Sequence, residues 1–365
     1  MTFKENGIRN SPFRYSKEEI KILKDDWQKH ASKIKRCPKK KFKGRGIVYT
    51  AGGLSYLTCA WVSISVLRER GCELPIEIWH NGPEISEEVK EKFIGLNVRF
   101  MNFQALGDVS LQGYMLKPLA IIASSFSEVL YLDTDNICTR NPQYLFDCLE
   151  YKEEGCIFWP DYWHTSKSNS IWSIIGSKHY EIPEQESGQI LVDKTKCWKE
   201  LQLSLYFNQM SAYYYKLILG DKDTFKFAWH ALESKYYMIK EMVGTCGIKV
   251  EGRFHGNTMV QHDPDGNILF LHRNLLKWDL TQSGELGWST IKRFKNIAKT
   301  KKTYFRRHVK IGLSIDLDGD VLEDNFEQMF GNLEERCLWY LDQWRSSEHY
   351  TGFCTYMHIL KNRLN

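Results

Sequence analysis

From residue 45 to residue 280, short apolar runs alternate with longer amphipathic stretches. Residues 46–50 (GIVYT) and 129–132 (VLYL) are apolar without alternation, which marks strands covered on both faces. Residues 74–79, 97–103 and 268–272 read as three further strands. Between them a helix is expected over roughly 56–70, closed by Gly71, and another over roughly 86–93. A third starts within residues 114–122, with Pro118 in its first turn, where the missing N–H costs nothing. Further on, residues 156–163 read as a strand entering an aromatic loop, and Glu186-Ser187-Gly188-Gln189 as a polar turn entering a strand. Residues 198–209 and about 220–233 read as helices. Strands alternating with helices predict an α/β, Rossmann-like fold around a central, mostly parallel sheet.

The flanks break this rhythm. Residues 1–45 read as a solvated basic arm with one amphipathic helix over 16–34, Ser16 as its N-cap and Glu18 and Glu19 in its first turn. Residues 281–310 are strongly basic, and 320–363 read as a helical cover with Leu333, Leu338 and Leu341 turned inward. Three units are expected: the arm (1–45), an α/β domain (46–280) and a basic, helical C-terminal extension (281–365).

The candidate chemistry gathers at the end of one strand. Asp-x-Asp occurs five times in the chain, but only Asp133 and Asp135 directly end a long apolar run. The C-terminal ends of such strands are where α/β sheets bind ligands. Two carboxylates desolvated side by side call for a cation, and oxygen ligands suit Mn²⁺ or Mg²⁺, which also bridge to phosphates. Gly52 and Gly53 lie between a strand and a helix, where backbone N–H groups can approach a nucleotide. The G-x-G-x-x-G fingerprint is missing, so a nicotinamide or flavin enzyme is not supported. Lys117, at a helix start, reaches either donor phosphate or water. His272 closes an apolar strand as a third metal ligand, and Lys277 is placed to neutralise a diphosphate leaving group. Asp221 and Asp223 open a helix, as caps or as site carboxylates.

Composition narrows the classes. Of 365 residues, 42% are hydrophobic and 26% charged, an ordinary globular balance, and a net charge of +5 does not imply nucleic acid. Ten cysteines without paired metal-type spacing read as reduced thiols of a cytosolic protein. No stretch reaches transmembrane length and the N-terminus is not signal-like, so a soluble, cytoplasmic chain is expected. Lys39-Lys40-Lys41 and the basic residues of 292–310 leave a peripheral membrane contact open. Twelve Trp, 19 Tyr and 19 Phe suit stacking on sugars or bases and equally suit a large core.

Taken together, several stretches resemble the fungal-type α-mannosyltransferases of cell-wall mannan synthesis, glycosyltransferase family 71. They are Gly46 to Gly53, 67–77 (LRERGCELPIE), 114–120, 131–141 (YLDTDNICTRN), Trp159-Pro160-Asp161 and Glu186-Ser187-Gly188-Gln189. They continue with 220–225 (GDKDTF), Phe254-His255-Gly256, Met259-Val260-Gln261 and 272–277, in family order over roughly 45–280. The resemblance implies a nucleotide-sugar transferase domain of the GT-A type, a metal-dependent reaction that retains configuration, and GDP-mannose as donor to a glycan acceptor. Members typically carry an N-terminal membrane anchor and work in the Golgi lumen; no anchor is expected here. Carried onto this chain, Asp135 and His272 hold the metal, with Asp133 on the metal or the donor ribose. The catalytic candidates are Glu186, Gln189, Asp221 and Asp223. Asp221, Asp223 or Glu186 would act as nucleophile, or would orient sugar and acceptor for same-face attack. Two other outcomes stay open: another nucleotide sugar (UDP-glucose, UDP-galactose or GDP-fucose), or a non-catalytic protein gripping glycan with the aromatics of 159–163. A nucleic-acid contact through 292–310 is the weakest rival.

Overall fold

The structure, a computed structural model, describes residues 1–3, 7–107, 113–280, 286–295, 302–309 and 312–347. The apolar runs become strands β1 (Arg45–Thr50), β2 (Ile76–His80), β3 (Val98–Asn102) and β4 (Glu128–Leu132), joined by β5 (Asn136–Cys138). Then come β6 (Cys156–Pro160), β7 (Gln185–Asp193) and β8 (Tyr237–Met238). Their central sheet runs β8-β6-β7-β4-β1-β2-β3. β4, β1, β2 and β3 are mutually parallel, as is the β8–β6 pair, while β7 runs antiparallel to both its neighbours. The stretch read as a polar turn, Glu186 to Gln189, is instead inside β7, with the ladder irregular between Glu186 and Leu191.

Continuous apolarity in β1 and β4 has the expected cause. Successive side chains alternate between two buried layers, so both sets must be apolar. Val48, Val129 and Tyr131 face a layer that includes helices α1 (Lys17–Lys33), α3 (Leu116–Ala123), α4 (Trp198–Gln209) and α5 (Lys222–Ala231). Ile47, Leu130 and Leu132 face α2 (Gly53–Glu69) and the end of α6 (Leu333–Arg345).

A second sheet holds β9 (Gly244–Val250), β10 (Arg253–His262), β12 (Thr290–Phe294), β13 (Lys302–Val309), β14 (Gly312–Gly319) and β15 (Val321–Asn325). Its order is β13-β14-β10-β9-β12-β15, and β11 (Ile268–His272) pairs both β10 and β5. In that last pairing His272 stands opposite Asn136. The tip of β4 is thereby brought beside a residue more than 130 positions downstream.

Both flanks differ from expectation. α1 begins as read, with Ser16 and Glu19 in a reciprocal capping box, but the arm is not free in solvent: one face of α1 packs on the core. Leu23, Trp27 and Ala31 are buried, Trp27 donates to the Ile174 carbonyl at 2.8 Å, and Arg9 is enclosed. The C-terminal extension is part sheet: β12 to β15 come before its helices, and β12 and β14 join strands that precede residue 280. Leu333 and Leu341 of α6 are fully buried as read and Leu338 partly so. Trp344 stacks on Trp61 of α2 with ring centroids 5.2 Å apart. Residues 348–363 of the expected helix lie outside the described residues.

Candidate active site

Beyond the C-terminal ends of β4, β1 and β2 the sheet opens into a cleft of about 740 Å³. Gly52, Lys117, Asp133, Asp135, Glu186, Asp221, His272 and Lys277 all line it. Gly53 sits at the helix start in the left-handed region (φ +68°), a conformation that glycine adopts without strain, with open space where a Cβ would stand.

His272 is the hub. Its Nε2 lies 3.2 Å from Asp135 Oδ1 and 3.9 Å from Asp133 Oδ2, and its Nδ1 lies 3.5 Å from Glu186 Oε1. One ligand atom each from Asp133, Glu186 and His272 fall within 4.8 Å of one another. Glu186 is held by the Gly188 N–H at 2.8 Å. A Cβ at Gly188 would stand 2.5 Å from the His272 ring, which is why this strand carries glycine there.

Each aspartate also has a lysine. Lys117 Nζ lies 3.0 Å from Asp133 Oδ1 and 3.3 Å from Asp221 Oδ2, and Lys277 Nζ pairs with Asp135 Oδ2. The Tyr131 hydroxyl donates to Asp133 at 3.0 Å, and Ser187 Oγ donates to Asp221 at 3.1 Å. Burial alone would push the Asp135 carboxyl up, yet His272 and Lys277 hold it well below the usual range. For His272 burial pushes down, but Asp135, Glu186 and Asp133 overrule it, so its proton is held more tightly than usual. Burial raises Glu186 and Asp221, only partly opposed by His272 and Lys117 respectively. Two or three carboxylate oxygens with an imidazole nitrogen form a donor set that fits Mn²⁺ or Mg²⁺. A divalent cation would take over the role now played by the His272 proton and the lysines.

Lys117 lines the cleft as a buried strut between Asp133 and Asp221, also donating to Ser187 O at 2.9 Å. Two other sequence-predicted residues lie outside the cleft lining. Gln189 is enclosed behind the cleft, accepting from Asn136 Nδ2 at 2.7 Å. Asp223 does not reach the cleft either; it is fully buried against Arg9, Lys222 and Lys226. Asp221 stands at the N-cap position of α5 and Asp223 in its first turn, but the Asp221 side chain makes no capping hydrogen bond and meets Lys117, while Asp223 meets Arg9, Lys222 and Lys226. The aromatics of 159–163 are core: Trp159 donates to the His262 carbonyl at 2.7 Å and Tyr162 to that of Gly244 at 3.1 Å. In the basic stretch, Lys292 and Arg293 are paired with Asp316 and Asp324.

Sequence reasoning passed over Tyr131, whose hydroxyl is concealed in an apolar run, and the cleft-lining Tyr56, His80, Asn81 and Glu84. His80 ends β2, and the loop after it, which holds Asn81 and Glu84, carries no charge pattern beyond a single Glu. Ser187 was visible only as part of the Glu186 to Gln189 stretch.

An acidic pair and a histidine thus meet at an open cleft beyond the C-terminal ends of parallel strands. The family model described as "Mannosyltransferase putative" matches residues 44–185 and 177–263, more than half of the chain, and the chain belongs to this mannosyltransferase family. Among relatives, the α-1,2-mannosyltransferase MNN21 of Candida albicans is 31% identical over 325 residues, covering 70% of this chain and 48% of the relative. For MNN22 of the same yeast the values are 29% over 349 residues, 78% and 58%. For α-1,2-mannosyltransferase MNN5 of Saccharomyces cerevisiae they are 27% over 288 residues, 61% and 49%. The chain spans about half the length of the curated relatives it matches. Among solved structures, the galactosyltransferase LgtC with donor and acceptor sugar analogs superposes with a TM-score of 0.38 at 16% identity, over 53% of this chain and 72% of that one. Glycosyltransferase GlyE of Streptococcus pneumoniae gives a TM-score of 0.38 at 15% identity, over 55% and 45%. Among the described residues no helix is long and apolar enough to cross a membrane.

Proposed function

We propose that this chain is a metal-dependent, retaining mannosyltransferase that moves mannose from GDP-mannose to a glycan hydroxyl, forming an α-linkage. The observation that carries the reading is the convergence of Asp133, Asp135 and Glu186 on His272 at the mouth of the cleft. The naming of the relatives as α-1,2-mannosyltransferases supports mannose as the sugar. Asp133, Asp135 and His272 would hold Mn²⁺ or Mg²⁺, with Glu186 within reach. A bound divalent ion supplies charge neutralisation to the diphosphate as the glycosidic bond breaks. Lys277, its side chain 39% exposed, swings from Asp135 to share that charge. Gly52 makes room for the Glu84 carboxylate, which a Cβ there would strike, while the open space beside Gly53 leaves the backbone of the same turn accessible to a nucleotide. Asp221, fixed by Lys117 and Ser187, orients the sugar or serves as its nucleophile; Glu186 is the second carboxylate for that role. The non-catalytic glycan-binding alternative loses its support with the burial of Trp159, Tyr162 and Trp163.

The test is calorimetric titration of GDP-mannose with Mn²⁺ and with EDTA, run beside UDP-glucose, UDP-galactose and GDP-fucose. Tight binding of GDP-mannose is expected only with the metal. Asp135→Ala abolishes metal-dependent donor binding and hydrolysis, by about a thousandfold or more, while circular dichroism stays native. Wild-type binding in that variant, or binding indifferent to EDTA, removes the proposal.

A further inference from the structure

We infer that the buried Arg273–Glu334 ion pair sets the position of the cation cluster, so that the C-terminal helix α6 is a working part of the candidate active site. The inference goes beyond the matched family segment, which ends at residue 263, and rests on the transferase reading only for the identity of the ligands. His272 and Lys277 both have to meet Asp135, and the loop between them is wrapped around Arg273. The Arg273 N–H donates to the Asp135 carbonyl at 2.9 Å, tying the loop to the tip of the acidic strand. Its Nε donates to the Leu276 carbonyl at 2.5 Å, which bends the chain back just ahead of Lys277. Its Nη1 donates to Glu334 Oε1 at 2.9 Å, and the guanidinium lies 3.7 Å over the Trp278 ring. Glu334 also accepts the N–H groups of Gly287 at 2.7 Å and Trp288 at 2.9 Å.

Arg273 and Glu334 are both enclosed and neither lines the cleft. A buried guanidinium is tolerated only while paired, so weakening Glu334 forces Arg273 to seek other partners. The loop moves with it, since the same residue holds Asp135 on one side and Leu276 on the other. Cation clusters of this kind lose affinity when supporting groups are removed, even though those groups never touch the ion. Arg273 and Glu334 are therefore positioning residues.

Glu334→Gln tests this against Leu341→Ala, which removes a fully buried apolar side chain from the same helix without touching the polar network. Each variant is measured for thermal midpoint, for Mn²⁺ affinity alone by electron paramagnetic resonance, and for Mn²⁺-dependent GDP-mannose binding. Both variants lower the midpoint. Only Glu334→Gln weakens Mn²⁺ affinity, by about tenfold or more, and Glu334→Asp, which keeps the charge, recovers part of it. Equal midpoint losses with wild-type Mn²⁺ affinity in Glu334→Gln would overturn the inference. Should that variant fail to fold, Glu334→Asp decides in the same way: unchanged Mn²⁺ affinity overturns, a lowered one supports. A wild-type protein that binds Mn²⁺ but no sugar nucleotide sinks the transferase reading and leaves the positioning test standing.

Discussion

Two clusters of charge draw on the same stretches of chain, Glu186 and Asp221 in one and Glu184, Lys222 and Asp223 in the other, and they behave as opposites. In the cleft, Asp133, Asp135 and His272 are paired with Lys117 and Lys277, and the Asp133 side chain is 27% exposed. Behind it Arg9, Glu184 and Asp223 form a sealed set: Arg9 Nη2 lies 2.7 Å from Glu184 and 3.2 Å from Asp223, both carboxylates inaccessible. Lys222, which also lines the cleft, closes the set with contacts of 2.7 Å to Glu184 and 2.5 Å to Asp161. Both sets join carboxylates to cations, so the pairing of opposite charges alone does not separate them. Access does. A carboxylate at the cleft can exchange an ammonium for a metal or leave an ammonium to a phosphate, whereas sealed partners can only hold each other. The sealed set joins the N-terminal arm, β7 and α5, and so works as a clamp behind the candidate site.

The comparison can be broken most forcefully at Asp223. Asp223→Ala leaves Arg9, Lys222 and Lys226 short of a counter-charge and is expected to cost about 3–5 kcal/mol in urea unfolding. Donor affinity of the folded fraction should stay near wild type. A donor-binding loss as large as that of Asp135→Ala would show that the sealed cluster is no clamp.

A smaller effect sharpens the other half. Gly188→Ala drives a methyl into the His272 ring, an overpacking expected to cost about 1–3 kcal/mol. Its signature is weaker Mn²⁺-supported donor binding, out of proportion to any change in unfolding midpoint. A purely structural loss would place His272 outside the working cluster.

The smallest effect concerns Lys194, a buried ammonium with no carboxylate in contact among the described residues. Its Nζ donates to the Ser124 carbonyl at 2.6 Å and to Ser124 Oγ at 3.1 Å. Burial lowers it to about 7 from 10.5, with Glu77 opposing. Between these two values the unfolded chain binds the proton that the folded chain has released, so stability rises with pH across that window and is flat below it. The thermal midpoint should therefore climb by a few degrees from pH 7 to about pH 9, and Lys194→Met should flatten that climb. An unchanged slope in the variant would assign the pH dependence elsewhere.

Much of the fold was readable from the chain because its strands are covered on both faces and so carry uninterrupted apolar runs. The strand ending at Asp133 and Asp135, the Ser16 capping box and the buried Leu333 and Leu341 all follow from local pattern. The strands over 290–294, 302–309, 312–319 and 321–325 were not legible, because charged side chains are neutralised across strands, as Lys292 is by Asp316 and Arg293 by Asp324. Local reading sees only a basic run. The same blindness put Asp223 in the site and left Arg9 in solvent.

By itself, then, the sequence determined which residue types stand at strand ends and helix starts, since these obey rules of periodicity and capping that span a few residues. Only the tertiary structure decided which charges meet and which of them remain reachable. Pairing β5 with β11 sets His272 against Asp135, and packing α6 beneath their loop sets Glu334 on Arg273. Such choices arise from the burial of whole layers against one another, and the burial of a charged side chain, unlike that of an apolar run, depends on partners far along the chain and has no signature in local sequence.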